Sequence, residues 1–67
     1  SFDDIDDDQF NICYIEKNTF RWKSKKNFNK DDIEHFKVLF PPIRDNKNNN
    51  IHFKGIVLVI KRLKKNY

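Results

Sequence analysis

From Ile56 to Ile60 the chain reads Ile-Val-Leu-Val-Ile, its longest unbroken apolar run, and four of the five residues are β-branched. Such side chains are stiff at χ1 and suit a pleated surface. In a strand, neighbours point to opposite faces, so a run this continuous needs cover on both sides. A central strand is therefore expected within Ile51–Leu63, with Ile56, Leu58 and Ile60 on one face. Phe53, Val57 and Val59 form the other face, interrupted by Gly55. A helix over 56–67 is the alternative, because Ile56, Ile60, Leu63 and Tyr67 also share a face; β-branching and Gly55 favour the strand. Leu58 is expected to be buried there, in which case truncation to Ala costs about 2–5 kcal/mol.

The rest of the chain must supply that cover. Phe10–Ile15 places Phe10, Ile12 and Tyr14 on one face and Asn11, Cys13 and Ile15 on the other. Thr19–Lys23 sets Phe20 and Trp22 against Arg21 and Lys23, the alternation of a half-buried strand. Glu16-Lys17-Asn18 links the two, with Asn18 expected to take a positive φ, which gives a β-hairpin. After a basic turn over 24–30, a helix is expected to run to Phe40. Asn29 is its N-cap, Phe28 and Ile33 form a hydrophobic staple, Asp31 and Asp32 sit at the positive dipole end, and Ile33, Phe36 and Phe40 recur at helical spacing. Pro41-Pro42 ends it. The asparagine-rich segment 44–50 reads as a surface loop that the fold tolerates.

Charge is divided unevenly. The net charge is +4, yet residues 1–8 hold five aspartates and no base, so the remaining residues carry +9. Residues 1–8 are expected to be a flexible acidic arm with apolar anchors Phe2 and Ile5, followed by one domain over 9–63 and a basic tail over 64–67. Eleven Lys against three Arg, nine Asn, one Gly and no Ala mark a lysine- and asparagine-rich background, in which a pI near 9.3 says little by itself. A chain of 67 residues buries only about 60% of its unfolded surface. Seven Phe, two Tyr and one Trp offset that shortage.

Catalytic and metal chemistry finds little support. Asp4-x-Asp6-x-Asp8 copies the first ligand positions of a calcium loop, but Gln9 stands where that loop needs Gly and Ile15 where it needs Glu. His35, His52 and the lone Cys13 lack the spacing of a zinc site. Neither a nucleophile elbow nor a phosphate-cradling glycine loop is present. No enzyme, cofactor or metal is expected. No stretch is long and apolar enough for a membrane span. The acidic start is unlike a signal peptide and the single cysteine excludes an internal disulfide, so the expectation is an intracellular chain, cytoplasmic or nuclear, excised from a larger protein.

Binding remains. Arg21, Trp22, Lys23, Lys25, Lys26 and Lys30 interleave bases with an aromatic, and Lys61 and Arg62 add a second basic group. That composition suits a nucleic-acid stacking platform, although no RNP, KH or zinc-knuckle motif accompanies it. It suits an acidic protein partner equally, and the acidic arm competes for the same surface as an intramolecular shield. If Trp22 proves buried against the helix, the stacking platform loses its best residue. An open sheet edge also offers strand addition.

The order strand, strand, helix, strand resembles the β-grasp, or ubiquitin-like, architecture. Asp32-Ile33-Glu34 opening the helix and Val57-Leu58-Val59-Ile60-Lys61-Arg62-Leu63 near the end carry the likeness. The terminal Gly-Gly needed for conjugation is absent. A winged-helix-like fold is the alternative, with 30–40 as recognition helix. The expectation is an α+β domain of β-β-α-β order, acting as a non-catalytic protein-interaction module of a larger protein or complex. Its partner, another protein or a second copy, would cover an apolar sheet face that one helix cannot reach. Nucleic-acid binding is the rival.

Overall fold

The Ile56–Ile60 run lies in the middle of a sheet. In the computed structural model, which describes residues 1–62, six strands form: β1 (Phe10–Glu16), β2 (Thr19–Trp22), β3 (Ile33–Phe40), β4 (Ile43–Arg44), β5 (Ile51–Phe53) and β6 (Gly55–Lys61). Four of them make one mixed sheet in the order β2-β1-β6-β3, and β4 with β5 makes a separate two-stranded ribbon. β6 runs parallel to β1, from Phe10 opposite Gly55 to Ile15 opposite Ile60, and antiparallel to β3. The β1–β2 hairpin forms as expected, with Glu16 opposite Thr19. Its two-residue turn puts Lys17 at φ 57°, whereas Asn18 had been the expected positive-φ residue. A positive φ at the first central residue is the requirement of a type II′ turn.

The expected helix over 30–40 does not form. Among the described residues the helical segments are three short 3-10 turns, Phe2–Asp4, Lys25–Asn27 and Lys30–Asp32, so the class is mostly β and not α+β. The winged-helix alternative loses its recognition helix with it. The capping signals were real but serve a single turn: the Asn29 side chain accepts a hydrogen bond from the Asp31 N–H at 3.1 Å, and Ile33 is already extended. The segment carries two periods at once. Ile33, Phe36 and Phe40 are spaced for a helix, while Phe36 and Val38 alternate as in a strand, and a register shift after Val38 turns Phe40 to the other face. β6 would otherwise leave its N–H and C=O groups bare along one side, and pairing with β3 satisfies them. That tertiary gain outweighs a three-residue helical stripe.

The core fills one face of the sheet. Ile12 (2% exposed) with Phe10 and Tyr14 of β1 meets Val57 and Val59 of β6, both at 0%. Ile5 of the acidic arm joins this cluster, and Phe2, Phe28, Ile33 and Phe36 pack against it. Phe2 stands edge-on to Phe28 and Phe36 at 5.7 and 5.6 Å, and Tyr14 edge-on to Phe28 at 5.1 Å. Such pairs contribute about 0.5–1.5 kcal/mol each beyond their buried area. The second layer is thus made of the arm and the 24–32 segment, in the place expected for a helix. The helix had been expected to pack through Ile33, Phe36, Leu39 and Phe40; Ile33 and Phe36 do face the core, whereas Leu39 and Phe40 are exposed.

Gly55 opens β6 where two groups crowd in. A Cβ there would strike the Phe40 carbonyl oxygen and come within 2.8 Å of the Phe10 ring. At the far end, the asparagine-rich loop is ordered by its own side chains. Asp45 Oδ1 accepts from the Lys47 N–H at 2.8 Å, Asn48 Oδ1 from the Asn50 N–H at 3.1 Å, and Asn49 takes φ 59°. Short polar side chains make such local turns cheaply.

Candidate protein-docking face

The other face of the sheet has no second layer among the described residues. Strand register sorts its side chains into three rows. Phe20 of β2, Ile15, Ile60 and His35 stand side by side; next come Trp22, Cys13, Leu58 and Lys37; then Asn11, Ile56 and Phe40. Phe20 and Trp22 are 68% and 66% exposed. Cys13, Ile15, Ile56, Leu58 and Ile60 are half-buried by their neighbours within the sheet. Each of the first two rows passes from an aromatic ring on β2, through aliphatic or thiol groups, to a nitrogen base on β3. No carboxylate belongs to any row. Leu58, expected to be buried, lies in the centre of this open surface, and the buried residues are its neighbours Val57 and Val59.

The eight residues singled out from sequence do not form one patch. Trp22 stands on the open face and not against a helix. Arg21 and Lys23 point to the opposite side, where Lys23 Nζ lies 4.8 Å from the Tyr14 ring centroid and 5.1 Å from that of Phe28. Lys25 Nζ donates to the Asp3 carbonyl at 2.7 Å and sits 4.0 Å from an Asp6 oxygen. Lys30 is ion-paired with Asp3. Lys61 Nζ donates to Glu16 at 3.0 Å, and Arg62 Nε lies 3.2 Å from Glu34. Lys26 is exposed in its 3-10 turn. Most of the basic groups are thus matched by the chain's own carboxylates.

These contacts move the titrations. The Lys30 ammonium holds Asp3 below the usual carboxylate range, and the Lys61 ammonium does the same for Glu16 while itself being raised. Asp7 is held low by the Lys25 N–H and the Ser24 hydroxyl, which donate to it at 3.0 and 2.7 Å. Two of the three calcium-loop aspartates are committed elsewhere: Asp4 takes the N-terminal ammonium at 2.9 Å and Asp6 meets Lys25. Among the described residues no three His, Cys, Asp or Glu side chains gather as a metal site, and no helix is long and apolar enough to cross a membrane.

Sequence reasoning set Ile56, Leu58 and Ile60 on one strand face and expected a partner over an apolar sheet face, but its candidate site residues left most of the open face out. They included Trp22 but not Phe20, Ile15, Leu58, Ile60, His35 or Lys37. The signal was the two-sided apolar strand with too few residues to cover it; the rows could not be assembled without knowing that 33–40 pairs with β6. No family model matches the chain, and neither a curated protein nor a solved structure matches it, so its function has to be argued from its own surfaces.

Proposed function

We propose that the chain is a non-catalytic protein-interaction module whose open sheet face receives one amphipathic helix of a partner, with acidic residues along one flank of that helix. The observation that carries this is the set of rows just described: exposed Phe20 and Trp22, a half-buried aliphatic centre, and Lys37 with His35 at the far edge without a carboxylate among them. The aliphatic centre calls for an apolar stripe, and the β3 edge calls for carboxylates. Three strand spacings span about 14 Å, close to the 10–12 Å diameter of a helix with its side chains. A second copy is a poorer occupant. The face covers on the order of 300 Å², against about 800 Å² per partner in a standard stable interface.

The order β2-β1-β6-β3, with β1 and β6 parallel at the centre, supports reading the sheet as β-grasp-like, the arm taking the layer where that architecture carries a helix. Nucleic-acid binding is the second reading, favoured by the exposure of Trp22. Against it, Lys25, Lys30, Lys61 and Arg62 are already ion-paired, and stacking needs free cations beside it to hold the phosphates.

Selection of helical peptides from a random library, with binding sites mapped by amide shifts, tests the proposal. Expected are acidic-flanked amphipathic helices of micromolar affinity that shift Cys13, Ile15, Phe20, Trp22, Leu58 and Lys37 and are lost in Leu58→Asp. Selected peptides that map elsewhere would remove the docking face. Micromolar oligonucleotide binding that falls steeply with salt and shifts Trp22 would replace it with the second reading. A concentration-dependent dimer would replace it with a second copy.

A further inference from the structure

The closed face carries a different feature, independent of the open one. Residues 1–8 fold on themselves and are fastened to the domain as a bound peptide would be. Their backbone–backbone hydrogen bonds run within the arm or to its hinge: the Asp4 N–H donates to Ser1, Ile5 to Phe2, and Gln9 and Phe10 to Asp6. Among the described residues the arm makes no ladder with any strand.

What holds it is a short set of side-chain contacts. Phe2 enters between Phe28 and Phe36, and Ile5, only 5% exposed, lies in the core cluster with Val57 and Val59. Lys30 pairs with Asp3, and Lys25 reaches both Asp3 and Asp6 while standing 5.8 Å above the Phe2 ring. The Asp7 carboxylate, bonded to Ser24 and to the Lys25 N–H, marks the hinge behind which β1 begins. Apart from Asp7, the carboxylates in these pairs are more than half exposed, where a rival charge could exchange with them. The arm also leaves space. Between it and the start of β3 lies an open cleft of about 430 Å³, bounded by Phe2, Lys30, Ile33 and Phe36 among others.

We infer that the groove beneath the arm is a second peptide-binding site, for an acidic segment with an aromatic and an aliphatic residue three positions apart, which residues 1–8 occupy as an internal ligand. The chemistry of the ligand is read from the arm itself: Phe2 and Ile5 supply the two apolar anchors, and the aspartates between and after them meet Lys30, Lys25 and the Ser24 turn. A partner segment of that pattern competes with the arm, and the arm's local concentration, about millimolar for a short tether, sets the threshold it must exceed.

The full chain carrying Phe2→Ala and Ile5→Ala empties both apolar sites and keeps every charge. The probe is the synthetic octapeptide Ser-Phe-Asp-Asp-Ile-Asp-Asp-Asp, and the readout is the melting temperature. The octapeptide should raise it in a saturable way, or fold the variant where it is unfolded alone. A control octapeptide with Ala in place of its Phe and Ile should do neither. In the single variant Phe2→Ala, which keeps Ile5, the octapeptide should shift the amides of Phe28, Lys30 and Phe36. Equal action of the two peptides would reduce the contact to charge alone and overturn the proposal. Absence of effect by the octapeptide on both variants would overturn it as well.

Discussion

Val59 and Leu58 are neighbours in the same strand, yet Val59 is fully buried and Leu58 sits half-buried in an open surface. Both are apolar and both lie at the centre of the sheet, so strand composition does not account for the difference. It comes from what the rest of the chain brings to each side. The closed face receives Phe2 and Ile5 from the arm and Phe28 from the 24–32 segment, held there by Asp3, Asp6 and Asp7 on Lys25, Lys30 and Ser24. The open face receives nothing comparable among the described residues. The β-branched run makes β6 apolar on both sides regardless of which side is covered. Among the described residues one face is covered, and the other stands as a surface.

Substitutions on the two faces should therefore behave differently. Ile12→Ala, on the closed face, should cost about 3–4 kcal/mol in denaturant unfolding, because the cavity lies under the arm and β6. Gly55→Ala should cost about 2 kcal/mol, since the Phe10 ring and the Phe40 carbonyl must move apart. Leu58→Ala should cost only about 1 kcal/mol, for a side chain already half in water. A Leu58 loss as large as that of Ile12 would mean that the open face is covered after all.

Acid should act through the closed face. Asp7 is held below its ordinary value, so its bonds stabilise the fold above the unfolded carboxylate pKa. That stability is lost as pH falls through the lower folded value, from about pH 4 downward. Asp7→Ala should flatten this part of a stability–pH curve, whereas open-face variants should leave its shape unchanged. The smallest effect is expected for Trp22→Ala, under about 1 kcal/mol in stability, with loss of any helix selected on that face.

Much of the sheet was legible in the sequence. The alternation in 10–15 and 19–23 gave the hairpin, and β-branching gave the central strand. The failure at 33–40 has a physical cause: Ile33, Phe36 and Phe40 keep a helical spacing, while the strand that forms shifts register between Val38 and Phe40 and depends on the bare edge of β6, a long-range partner that local pattern cannot register. The same gap hid the docking face, whose rows exist only once four strands are aligned. The pairing of Lys25 and Lys30 with the arm rests on Phe2 and Ile5 being drawn into the core, which charge pattern alone does not register. The segment 63–67, including the tail and the Leu63 and Tyr67 of the helical alternative, lies outside the described residues.

The unequal faces can be tested through the single tryptophan of the chain. Acrylamide quenching of Trp22 fluorescence in a dilute monomeric sample reports whether the open face is in water. The predicted result is quenching close to that of a free tryptophan amide, with a red-shifted emission that moves to the blue only when a selected helix binds. Slow quenching and blue emission in the isolated chain would contradict the account, because the face would then be covered by the chain itself.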